Sequence, residues 1–178
     1  MELLPTLKKA AAALERDRVP HLLGGSLACW ARGGPAVAGD LDFMVKPADA
    51  ERALAALVGV GMREERPPEQ WLLKAWDGEH MVDLIFEAAG LPITDEVLAR
   101  GDRLSVGAMS MPVMALEDVL TTKLTAMNER SLDYEHVYRS PARCASRSTG
   151  TRYVTAPRTR RMQPRSSRWW SAWESPPG

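Results

Sequence analysis

Hydrophobic and polar positions follow two rhythms along this chain. Leu4, Leu7, Ala11 and Leu14 recur at helical spacing, so residues 3–18 read as a helix with one apolar face. Residues 19–23 form a short apolar run, read as a buried strand that ends at Gly24-Gly25. Ser26 is placed to cap a second helix over 27–32, closed by Gly33-Gly34-Pro35. Residues 41–46 read as a second strand. A helix starting at Pro47 carries Leu54, Leu57 and Val58 inward and stops near Gly59 to Gly61. Two further strands, 71–76 and 81–87, are split by Asp77-Gly78, a hairpin signal. A short helix at 94–100 and a strand at 104–109 follow. Pro112 introduces a helix over 114–128 with Leu116, Leu120 and Leu124 on one face, and a second helical piece is expected over 130–137.

This order predicts an α+β (α/β-like) fold: a mixed β-sheet with flanking helices. Three segments follow from it, a core over 1–112, a short helical part over 113–137 and a tail over 138–178. There is no internal repeat.

Composition changes the picture mainly at the tail. The chain of 178 residues, 45% hydrophobic, is long enough for one well-filled core. Its net charge is zero, yet from Tyr138 onward nine arginines face one acid, Glu174. The tail is therefore net +8 and the remainder net −8, the asymmetry of an acidic globule with a basic arm. The last 41 residues contain no Leu, Ile or Phe and are dominated by Ser, Arg and Pro. Such a segment buries too little apolar surface to offset its ordering entropy, so an irregular or disordered tail is expected despite Trp169, Trp170 and Trp173. An out-of-frame reading of GC-rich coding sequence yields this composition. Cys29 and Cys144 lie far apart without metal-ligand spacing. The N-terminal stretch lacks the apolar core of a secretory signal, and no run reaches membrane-spanning length, so a cytoplasmic protein without membrane contact is expected.

The candidate chemistry lies in LLGGSLACWARGGPAVAGDLDFMV, residues 22–45. Asp40 and Asp42, two apart in extended chain, point to one side. Asp83 sits in another apolar run, His80 to Phe86. Carboxylates among strand-forming apolar residues need a compensating charge. A glycine turn with three strand-borne aspartates suits metal-dependent nucleotidyl transfer, in which phosphate charge is neutralised and attacking and leaving oxygens are held in line. Asp40, Asp42 and Asp83 are the expected ligands of two Mg²⁺ ions, and Asp83 also helps accept the proton of the nucleophile. Gly24 and Gly25 let backbone approach a nucleoside triphosphate, Ser26 offers a donor, and Lys123 is a candidate clamp. Taken singly, each piece has a plainer reading: a turn, a wet strand end, a wet helix face. Together they favour a site. His21, His80 and His136 are scattered, no Walker loop or G-x-G-x-x-G is present, and G-G-S-L-A lacks the G-x-S-x-G elbow.

These residues resemble the polymerase-β-type nucleotidyltransferase superfamily, through Gly24-Gly25-Ser26, Asp40-Leu41-Asp42 and Val82-Asp83-Leu84. Leu116 to Leu120 with Lys123, and Leu132 to Val137, further resemble the AbiEii-like toxins, which include the MenT nucleotidyltransferase toxins. That resemblance covers about residues 19–137. It implies that Lys123 and Asp133 join the three aspartates in the active site. It also implies Mg²⁺, a nucleoside triphosphate, transfer to an RNA acceptor such as a tRNA 3′ end, and a cognate antitoxin. The departure is at Tyr138, where the basic tail replaces a further helical segment. The expected function is nucleotidyl transfer to RNA or a tRNA 3′ end by a toxin; the alternatives are a small-molecule (antibiotic) nucleotidyltransferase and a catalytically impaired remnant whose tail binds nucleic acid.

Overall fold

A computed structural model describes residues 3–34, 39–88 and 90–126, all belonging to one compact unit. Asp133, the helix expected over 130–137 and the tail lie outside these residues, as does Met127 next to the described end of the last helix. Helix α1 (Leu3–Arg16) leads into strand β1 (His21–Leu23), helix α2 (Gly25–Ala31) and strand β2 (Leu41–Val45). A 3-10 turn at Pro47–Asp49 opens helix α3 (Ala50–Val58), followed by strands β3 (Arg63–Glu65), β4 (Leu72–Asp77) and β5 (His80–Ile85). A small ribbon, β6 (Glu87–Ala88) with β7 (Leu91–Pro92), precedes helix α4 (Asp95–Ala99). Strands β8 (Asp102–Val106) and β9 (Met109–Val113) then lead to helix α5 (Leu116–Ala126).

Seven strands form one mixed sheet in the order β3-β4-β5-β2-β1-β9-β8. Strands β2 and β5 run parallel, as do β1 and β9, and the other neighbours are antiparallel. The mixed sheet with flanking helices is as expected from the pattern. Alternation decides its two faces. Leu41, Phe43, Val45, Val82 and Leu84 are all fully buried on one face, where α1 contacts β5 and α3 contacts β4 and β5. Asp42, Met44, Asp83 and Ile85 take the alternate positions and so project from the other face. Helix α2 packs against β2, and α5 packs on α2.

Several local expectations shift. Ser26 does not cap α2: Gly24 is the N-cap residue, no side chain caps it, and Ser26 lies in the first turn. The strand expected at 104–109 is a hairpin of two strands, because Gly107 (φ 56°) and Ala108 (φ 65°) make a two-residue turn between Val106 and Met109. Pro112 belongs to β9 and does not open the following helix. Strand β9 meets β1 at one register pair, Leu23 with Val113, which leaves room for a proline in the strand. On α5 the fully buried residue is Val119, whereas Leu124 is half exposed.

Candidate active site

Gly24 closes β1 and donates its amide to the carbonyl of Asp42 at 2.8 Å. The chain then turns through Gly25 at φ +55°, a left-handed conformation that suits glycine. A Cβ at Gly25 would overlap the Asp42 carboxylate, and one at Gly24 would overlap the Met44 side chain. Gly25 is thus required by close approach as well as by the turn, whereas Gly24, in extended backbone, makes room for the Met44 side chain. They seat the start of α2 directly over the Asp42 side chain.

Asp42 is the register partner of Asp83 across the parallel β2–β5 pair. The two carboxylates therefore stand side by side on one face. Asp83 is in turn opposite Lys74 on β4, whose ammonium donates to Asp83 Oδ1 at 2.9 Å. The row Asp42, Asp83, Lys74 crosses three adjacent strands. Asp40 is exposed just before β2, close enough for its charge to act on both carboxylates. Burial pushes the Asp42 carboxyl up to about 7, helped by the charges of Asp83 and Asp40 and opposed by Lys123 and Lys74. Burial also raises Asp83, against the hydrogen bond and charge of Lys74.

Lys123 comes to the same place from α5. Its ammonium donates to Ser26 Oγ at 3.2 Å, across 97 residues of sequence. Asp42 and Lys123 both line a cleft of about 400 Å³, with Gly25 and Thr122 beside them. Much of its lining is apolar: Met44, Ile85, Ala88 and Trp71, the last 42% exposed. Six of the eight residues expected at the site, Gly24, Gly25, Ser26, Asp42, Asp83 and Lys123, are thus brought together. Asp40 stands at the rim, and Asp133 lies outside the described residues.

Among the described residues, no group of three or more His, Cys, Asp or Glu is arranged to hold a metal ion by itself. Mg²⁺ rarely uses such a cage, and usually takes one or two carboxylates together with substrate phosphates and water. A pair of adjacent carboxylates, one of them strongly disfavoured as an anion in this setting, fits that habit. His21 is buried elsewhere, hydrogen-bonded through Nδ1 to the Val19 carbonyl at 2.8 Å and edge-on to Phe43, in a structural role.

With this geometry in view, comparison with solved structures is informative. The chain superposes on ANT(2″)-Ia in complex with adenylyl-2″-tobramycin with a TM-score of 0.62. Identity is 16%, over 82% of this chain and 90% of that one. The fold is that of a nucleotidyltransferase. TM1012 of Thermotoga maritima, a candidate nucleotidyltransferase, gives a TM-score of 0.57 at 18% identity, over 69% and 83% of the two chains. The lincosamide adenylyltransferase LnuA, solved with lincomycin bound, gives 0.52 at 13% identity, over 78% and 93%. No protein-family model matches the sequence, and no curated protein matches it. Among the described residues, no helix of this nucleotidyltransferase fold is long and apolar enough to cross a membrane.

Proposed function

We propose that this protein is a Mg²⁺-dependent, cytoplasmic nucleotidyltransferase that moves a nucleotide from a nucleoside triphosphate to a hydroxyl-bearing acceptor. The observation that carries the reading is the Asp42–Asp83 register pair beneath the Gly25 turn, with Lys123 and Ser26 beside it. Asp42 and Asp83 would hold the metal, with Asp40 joining from the rim. Bound there, Mg²⁺ supplies charge neutralisation for the triphosphate and for the leaving pyrophosphate. Gly24 and Gly25 keep side chains out of the way of the phosphates. Ser26 and Lys123 donate to phosphate oxygens and fix the α-phosphorus against the acceptor. The acceptor oxygen bonds to the α-phosphorus as the bond to the bridging oxygen breaks, and Asp83 takes the hydroxyl proton. Asp133 is proposed as a further acidic residue of the site on the strength of the AbiEii-like resemblance.

Two acceptor classes compete. The resemblance to MenT-type toxins supports an RNA or tRNA 3′ end and a cognate antitoxin. A small-molecule acceptor is favoured by the lining of the cleft, which beside Asp42, Glu87 and Lys123 is largely apolar: Met44, Ile85, Ala88 and Trp71. Two of the fold neighbours, solved with an adenylylated tobramycin and with lincomycin, support the same choice. Incubation with Mg²⁺, labelled nucleoside triphosphates, total RNA, aminoglycosides and lincosamides separates the classes. Label on a small molecule is the expected result. Label in RNA would install the toxin reading instead, and no transfer to any acceptor would remove the enzymatic one.

A further inference from the structure

Lys74 holds an unusual position. It sits opposite Asp83 in the antiparallel β4–β5 register, one strand further from Asp42. Its ammonium reaches Asp83 Oδ1 at 2.9 Å and lies 3.3 Å from the Met81 sulfur. The Lys74 and Asp83 side chains are only 17% and 11% exposed, so solvent does little to screen them. Lys123, the other cation near the carboxylates, is engaged with Ser26 instead.

We infer that Lys74 is a tethered counter-cation: it neutralises Asp83 in the metal-free protein and must be displaced from that carboxylate when a divalent cation binds. The inference rests on the reading of Asp42 and Asp83 as metal ligands. On this view Lys74 is a positioning residue that competes with the metal. It compensates the buried Asp83 carboxylate beside Asp42 while the site is empty, and weakens metal affinity by the work of its own displacement. A flexible four-carbon stem and a point charge suit that exchange better than a guanidinium fork would.

The sign of the effect separates this role from simple structural support. Damage to the site would weaken metal binding, whereas loss of a competing cation strengthens it. The test uses the full chain with Mn²⁺ alone as probe, followed by calorimetry or by electron paramagnetic resonance of free Mn²⁺. Lys74→Met is expected to bind Mn²⁺ at least ~10-fold more tightly than the unaltered protein. Its metal-free melting temperature should fall, and the upward shift on adding Mn²⁺ should exceed that of the unaltered protein. Lys74→Gln is measured beside it and read in the same way should the methionine variant fail to fold. Asp42→Asn, which should lose the binding, ties the signal to this site. Mn²⁺ affinity that is unchanged or weaker in the Lys74 variants overturns the inference and leaves the metal reading intact. Absence of Mn²⁺ binding in every protein, the Lys74 variants included, overturns both.

Discussion

Among the described residues, Asp42 carries the heaviest electrostatic burden. Desolvation and the charges of Asp83 and Asp40 disfavour its anion, and Lys123 and Lys74 act the other way. Asp42→Ala should reduce nucleotidyl transfer by several orders of magnitude while circular dichroism shows an intact fold, because charge neutralisation at the phosphates is lost. An activity equal to that of the unaltered protein would count against the proposed function. Gly25 faces the same carboxylate from above, at φ +55°. Gly25→Ala forces a side chain into both the left-handed backbone and Asp42, at a cost of about 1–3 kcal/mol in chemical denaturation. The glycines, Ser26 and the aspartates were legible in the sequence because strand parity and turn chemistry act over a few residues. Lys74 was not. A hairpin loop at Asp77-Gly78 would set Leu72 opposite Asp83. The observed loop is Gly78-Glu79, which pairs Asp77 with His80 and brings Lys74 into that place. A shift of one residue in the turn exchanged a leucine for a cation.

At the scale of elements, the same logic explains which pieces the pattern supplied. Helices α1 and α3 and strands β1, β2, β4 and β5 follow from local periodicity, and the short helix expected over 94–100 is α4, with Thr94 as its N-cap in place of its first residue. Thr94 accepts from the Val97 amide as a cap should. The β8–β9 hairpin escaped notice because Gly107-Ala108 is a weak turn signal and Pro112 speaks against a strand. Its turn also strains the backbone, since Ala108, like Arg18 after α1, holds a left-handed φ (65°) without being glycine. Ala108→Gly should therefore stabilise the protein by up to about 1 kcal/mol, read as a higher urea midpoint at constant slope. Strand β2 offers the opposite case. Phe43 is fully buried between Leu23 and Leu84 in register, so Phe43→Ala should cost about 3–5 kcal/mol in urea unfolding.

For the whole molecule, the carboxylate pair makes stability depend on pH and on metal together. Burial raises the pKa of both Asp42 and Asp83 in the fold, Asp42 to about 7, so the folded chain binds more protons than the unfolded chain from about pH 4 up to about pH 7. Stability should then be greatest in acid with respect to these groups. It should fall as pH rises toward 7, with a limiting slope of about 1.4 kcal/mol per pH unit for Asp42, and Asp83 acts in the same direction. Asp83, Asp40, Lys123 and Lys74 are the charged groups that act on Asp42, and Asp42→Asn should flatten the slope measured in chelator. A slope that survives this substitution would place its origin elsewhere. Long-range assembly was beyond the reach of sequence pattern. Nothing local foretells that α5 returns to set Lys123 against Ser26, or that β9 inserts beside β1.

The parallel pairing of β2 and β5 fixes one more property. Neighbouring strands lie about 4.8 Å apart, and backbone hydrogen bonds hold that spacing whatever the side chains do. Because Asp42 and Asp83 occupy matched positions on those strands, the sheet serves as a ruler for the distance between their carboxylates. Lengthening either arm by one methylene moves its oxygens off the scale without touching charge or fold. Asp42→Glu should consequently stay folded and anionic, yet be nearly as inactive as the alanine variant.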